Sequence, residues 1–182
     1  MTEAFVNPVG HNPIAFLFHP SAVPVIDVFR SIGSLDDQYD LALLDGPERG
    51  LATYVQPGAA KGIVSDALLL AFALTRQRGT AFDHRPVGSR YGTRDEYCLM
   101  TLIGASRQPG SEVAREAAAL LGLSPLELMS ALAGELARQI DLGIIVFTVP
   151  SLTEFRAVAG VGNGQLEAVV EATGKPGRHF GL

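Results

Sequence analysis

Residues 79–96 hold most of the side chains in this chain that could do chemistry together. His84, Arg85, Arg90 and Arg94 stand there beside Asp83, Asp95 and Glu96. Arginine forks match the geometry of carboxylates and phosphates, and histidine can take or give a proton. The stretch therefore suggests a site for a small anion. Pro86, Gly88 and Gly92 punctuate it as loop, and it has no apolar period of either kind. Structureless loops of this length in a compact domain are usually functional or disordered. A glycine-punctuated loop can fold over a ligand as a lid. The plainer expectation is a solvated loop whose arginines pair with Asp83, Asp95 and Glu96, and exposed pairs of that kind contribute little.

Other groups compete for a chemical role. Asp45 closes an apolar run and is the first candidate for a general base or metal ligand. Its plainer role is to accept turn amides ahead of Gly46. His19 is the second candidate acid or base, against the role of a strand-end residue with one ring nitrogen bonded to backbone. Ser21 and Arg49 would help hold a substrate. His11 and His19 cannot share a metal if residues 14–18 are extended, because eight steps of ~3.3 Å separate them by ~26 Å. No Cys/His spacing matches a structural zinc site. Cys98 sits in an apolar run and reads as inert packing. Residues 160–164, Gly-Val-Gly-Asn-Gly, lack the spacing and the preceding strand of a nucleotide loop. Neither a phosphate-loop lysine motif nor a Gly-x-Ser-x-Gly elbow is present. The sequence leaves the cofactor unknown.

The elements that would position these groups read as strands alternating with helices. Residues 14–18, 39–44, 97–103 and 144–149 are unbroken apolar runs, the mark of strands covered on both faces. Residues 51–55 and 80–83 are shorter strand candidates, and 45–48 read as a turn. Ser21 can cap a helix with Pro24 in its first turn, with Val25, Ile26, Phe29 and Ile32 on one face and Asp27 and Arg30 opposite. Further helices are expected over 59–78, 112–121, 124–140 and 165–172. Capping boxes are expected at Ser124/Glu127, with Pro125 at the first helical position, and at Ser151/Glu154. Residues 175–182 form a basic tail. The expected fold is a single α/β domain over 1–182, with a mainly parallel sheet of about four to six strands flanked by helices. In such a sheet His19, Ser21, Asp45 and Arg49 would share the rim beyond the strand ends, where ligands bind.

Composition narrows the function classes. The 182 residues are 47 % hydrophobic and 18 % charged, which argues against disorder and for a subunit interface. A net charge of −5 disfavours general affinity for nucleic acid or anionic membrane. One cysteine and no signal-peptide pattern at the start fit a soluble, cytoplasmic setting. Residues 112–132 resemble a helix-turn-helix, but 124–133 carry no Arg, Lys, Asn or Gln to read a base edge, so nucleic acid is a disfavoured partner. The leading expectation is an enzyme acting on a small anionic metabolite bearing a carboxylate or phosphate, a hydrolase or lyase. Arginines of 85–94 would hold the anion, and Asp45 or His19 would move protons. The alternative is a non-catalytic homo-oligomeric subunit assembling through the apolar residues 67–74.

Overall fold

The structure, a computed structural model, describes residues 16–33, 44–146 and 148–160. In chain order its elements are β1 (Phe16–Leu17), α1 (Val23–Gly33), α2 (Asp45–Leu51), α3 (Pro57–Gln77), β2 (Tyr91–Gly92), α4 (Arg94–Ala105), α5 (Glu112–Leu120), α6 (Leu126–Leu142) and α7 (Leu152–Ala159). The α/β fold with a parallel sheet is thus overturned. Seven helices are described, and the strands form one two-stranded antiparallel ribbon, Phe16 opposite Gly92 and Leu17 opposite Tyr91. The ribbon closes tightly, because a side chain on Gly92 would collide with the Phe18 ring.

The largest correction is the apolar run 97–103, which is the middle of α4. Thr-Arg-Asp-Glu at 93–96 is a capping box. Thr93 Oγ1 accepts the Glu96 amide at 3.2 Å, and Glu96 Oε2 accepts the Thr93 amide at 2.8 Å. That box starts a helix and places Asp95 and Glu96 in its first turn, where the dipole favours acids. Every residue of α4 from Cys98 to Ala105 is buried, so it shows no amphipathic period. Each fully buried side chain such as Leu99, Leu102 or Ile103 contributes roughly 1.5–3 kcal/mol. Burial also pushes the Cys98 thiol up to about 12, against the pull of Arg94, so it stays protonated.

The helices pack in two groups. In one, α4 packs with α5, α6 and α7; in the other, α1, α2 and α3 pack on one another, and α3 lies along α6 to join them. The helix expected at 59–78 is α3. It is long and apolar enough by length and composition to cross a membrane, and it buries Ile63, Val64, Ala67 and Leu70 completely. The expected turn at 45–48 is the start of α2, and the strand expected at 51–55 is the last residue of α2, Leu51, and the turn that follows it. No strand is described at 80–83. Of the strand expected at 14–18, β1 keeps Phe16 and Leu17, and residues 14–15 lie outside the described residues, as do residues 39–43 of the strand expected at 39–44 and the helix at 165–172. The cap at Ser151/Glu154 forms, with Glu154 Oε2 accepting the Ser151 amide at 2.8 Å. The one at Ser124/Glu127 does not: Pro125 holds the N-cap position and no side chain caps α6. Gly160 closes α7 in the left-handed conformation, φ 72°.

The run at 144–149 is not a strand, because α6 ends in a Schellman turn. Ile145 N donates to Ile140 O at 3.2 Å and Ile144 N to Asp141 O at 3.0 Å. This puts Ile144 at φ 60°, where glycine is favoured. Gly143, one residue earlier, serves close packing instead: a Cβ there would lie 3.2 Å from Val55 Cγ1 and 3.3 Å from Ile63 Cδ1.

The two halves are joined by a buried ion pair. Arg30 of α1 was expected on a solvent face, yet its side chain and that of Glu96 are both fully buried. Arg30 Nε donates to Glu96 Oε1 at 2.6 Å and Nη2 to Glu96 Oε2 at 3.2 Å. Nη1 reaches Asp27 Oδ1 at 3.0 Å and Ser89 O at 2.6 Å, and Nη2 also reaches Tyr91 O at 3.0 Å. All five guanidinium N–H groups thus find acceptors. Burial lowers the guanidinium pKa, but hydrogen bonds and charge from Glu96, then Asp27, outweigh it and raise it.

Two stability measurements test this packing. Arg30→Met should cost about 3–5 kcal/mol in urea unfolding, because Glu96 would remain buried and unpaired; a loss below about 1 kcal/mol would refute that role. Ile144→Gly should raise stability by about 1 kcal/mol by relieving the left-handed β-branched residue; a decrease would show that the Ile144 side chain is needed.

Candidate functional site

The arginine-rich stretch is built by acids that accept its backbone. Asp27 Oδ1 takes the Gly88 amide at 2.9 Å, Glu96 Oε1 the Arg85 amide at 3.2 Å, and Asp95 Oδ2 the Asp83 amide at 3.0 Å. Thr93 Oγ1 donates to Asp83 O at 2.7 Å. The arginines that meet these carboxylates are Arg30 and Arg78. Arg78 Nη2 lies 2.7 Å from Asp95 Oδ2, and its guanidinium lies 5.6 Å from the centre of the Phe82 ring. Both come from helices flanking the stretch. The expected pairing of the loop's own arginines with its acids is not what the structure shows. Arg90 and Arg94 are exposed, and Arg85 is half-buried with a buried Nε that has no partner among the described residues.

Anchored this way, the stretch lends Ala81, Phe82 and His84 to the wall of a cleft. Its volume is about 370 Å³, within the range of small-ligand sites. Phe29 and Ile32 of α1, Phe72 of α3, Leu99 of α4 and Phe82 of the stretch itself give it an apolar lining. Among the described residues, His84 is the titratable side chain in that lining. Its Nδ1 lies 3.2 Å from Arg85 O. A carbonyl only accepts, so Nδ1 carries a proton, and Nε2 is left to receive or give a hydrogen bond. The ring abuts the end of α1: a Cβ on Gly33 would lie 3.2 Å from Nε2 and 3.3 Å from Cδ2. Thr75, also in the lining, spends its hydroxyl on Ala71 O at 3.0 Å.

The structure separates the other candidates from this cleft. Asp45 is exposed in the first turn of α2, and Arg49 Nε donates to its carbonyl at 3.0 Å. Neither lines the cleft. His19 follows β1 and lines a different cavity, with its Nδ1 2.8 Å from Ser21 Oγ. Ser21 donates its hydroxyl to Val146 O at 2.5 Å instead of capping α1. Arg90 comes near His19 only through backbone, where its carbonyl accepts the Phe18 amide at 2.8 Å. The shared rim of His19, Ser21, Asp45 and Arg49 therefore vanishes with the sheet that would have made it. Of the sequence candidates His84 lines the cleft, and Arg85 is its neighbour in the chain.

Sequence reasoning missed the cleft's apolar wall and the Arg30 cluster behind its loop. One signal for Arg30 was legible. Pro24, Val25, Ile26, Val28 and Phe29 surround it on a short helix, too apolar all round to leave a solvent face wide enough for it. The groups of three or more His, Cys, Asp or Glu that could hold a metal ion are absent among the described residues. No family model, no curated protein and no solved structure matches the chain.

Gly33 offers a direct probe of this geometry. Gly33→Ala should displace the His84 ring, seen as a shift of its Cε1–H and Cδ2–H resonances, while stability changes by no more than about 1 kcal/mol. Unmoved ring resonances would show that His84 does not rest on the α1 terminus.

Proposed function

We propose that the protein binds a small anionic metabolite, one with an apolar body and a carboxylic group, in the cleft beside His84. The observation that supports this reading is the pairing of an apolar cleft with a single titratable side chain whose tautomer is set. The apolar lining would take the body of the ligand, which gains from leaving water. The carboxyl group would meet Nε2, and the two would share one proton across one hydrogen bond. Arg85, the next residue, adds positive charge at that end.

Any chemistry here is proton transfer at Nε2. Of the two reaction classes expected from the sequence, a lyase needs little more than a placed base. Hydrolysis asks for a second group to activate water, and Asp45 stands elsewhere. The subunit reading keeps one favourable observation: Leu69 and Phe72 of α3 are 52 % and 39 % exposed. Phe72 belongs to the cleft as well, so self-association through that face would cover its entrance.

A thermal-shift screen of carboxylated and phosphorylated metabolites, run on wild type and His84→Ala, tests the proposal. A ligand at 100 times its dissociation constant should stabilise wild type by about 2.7 kcal/mol. That gain should come from monocarboxylates with apolar bodies and disappear in His84→Ala. Stabilisation that survives the substitution, or that follows phosphate and depends on Arg90 and Arg94, would refute the site.

A further inference from the structure

A second cavity, of about 330 Å³, lies under β1 and shares no lining residue with the cleft at His84. Phe16 and Phe18 form one side, Met100 the floor from α4, and Val158 of α7 the far wall. Phe16 is held in place by an aromatic column. It stacks on Tyr97 at 4.7 Å and 9°, and Tyr97 stacks on Phe155 at 5.7 Å and 12°. Both faces of Tyr97 are thereby used, so its contribution to the cavity is its edge.

Against these apolar walls stand His19, Thr101 and Thr148. His19 Nδ1 is engaged by Ser21: the Ser21 amide donates to it at 3.3 Å, and Ser21 Oγ lies 2.8 Å away. The Ser21 hydroxyl donates to Val146 O at 2.5 Å. Nε2 is the ring nitrogen left to give or receive a hydrogen bond. Among the described residues no Asp, Glu, Lys or Arg lines the cavity, so a charged ligand would lose its hydration without meeting a counter-charge from them.

We propose that this cavity is a second binding site, for a small uncharged molecule with an apolar ring or chain and one hydroxyl, which hydrogen-bonds to His19 Nε2. The volume suits about one ring, at the small end of ligand pockets. The walls supply transfer energy, and His19, with Thr101 and Thr148, supplies selectivity, since a hydroxyl that met no polar partner would be buried unpaired. The site is independent of the anion cleft and stands whether or not that cleft is occupied.

The test compares phenol with toluene, which match in ring and size and differ in the donor. Binding is followed by titration of side-chain resonances in wild type, His19→Ala and His84→Ala. His19 is exposed, so its truncation leaves the core intact. Wild type should bind phenol about tenfold more tightly than toluene, the worth of one hydrogen bond. His19→Ala should reduce that ratio to about one with toluene affinity unchanged, and His84→Ala should leave the ratio as it was. The proposal is overturned if neither probe binds, if the preference survives in His19→Ala, or if His84→Ala removes it.

Discussion

Arg30 and Glu96 make the contact on which the rest of this structure depends. Two opposite charges are taken fully out of water, and that is tolerable only because every N–H of the guanidinium meets an oxygen. Those oxygens come from α1 itself, from the start of α4 and from the carbonyls of Ser89 and Tyr91. One side chain thus fixes the distance between α1 and α4 and the path of the chain between α3 and α4. Glu96 carries a second duty, since its Oε2 also closes the capping box that starts α4. The helix at the centre of the fold and the loop beside it share the same carboxylate.

This constraint decides what the arginine-rich stretch can do. A lid must open at modest cost. Opening this one would leave Arg30 and Glu96 buried and partly unpaired, a penalty of several kcal/mol. The stretch is better understood as a fixed wall, held by Asp27, Asp95 and Glu96 through its amides. Because those acids are spent on backbone and on Arg30 and Arg78, they do not neutralise Arg85, Arg90 and Arg94. Positive charge therefore remains on the rim of the wall, while the wall's inner side, Phe82 and His84, faces the cleft.

Part of this was legible in the sequence and part was not, for physical reasons. Helices with a solvent face, α5 and α6, show the 3.6-residue period and could be placed. The Ser151/Glu154 box marks α7 because its side chains act locally. α4 hides for the opposite reason: buried on all sides, it has an unbroken apolar run that a central strand would also have. Its start was nevertheless written in Thr93 and Glu96, the same box that marks α7. The run at 144–149 failed as a strand because Ile144 takes a left-handed turn that its residue type disfavours. At the site, His84 and Arg85 could be named from their types. Phe29, Phe72 and Leu99 could not, since only the packing of three separate helices brings them to one cleft.

The most direct test of this account is native-state hydrogen exchange at the amides of Arg85, Gly88 and Thr93. Glu96 accepts the first and third of these amides, and Asp27 accepts the second. If the buried Arg30 cluster pins the wall, all three should exchange only through openings nearly as costly as global unfolding. They should also lose that protection together in Arg30→Met. Exchange at rates near those of a free peptide in wild type would contradict the account, because the stretch would then open without disturbing the pair that is said to hold it.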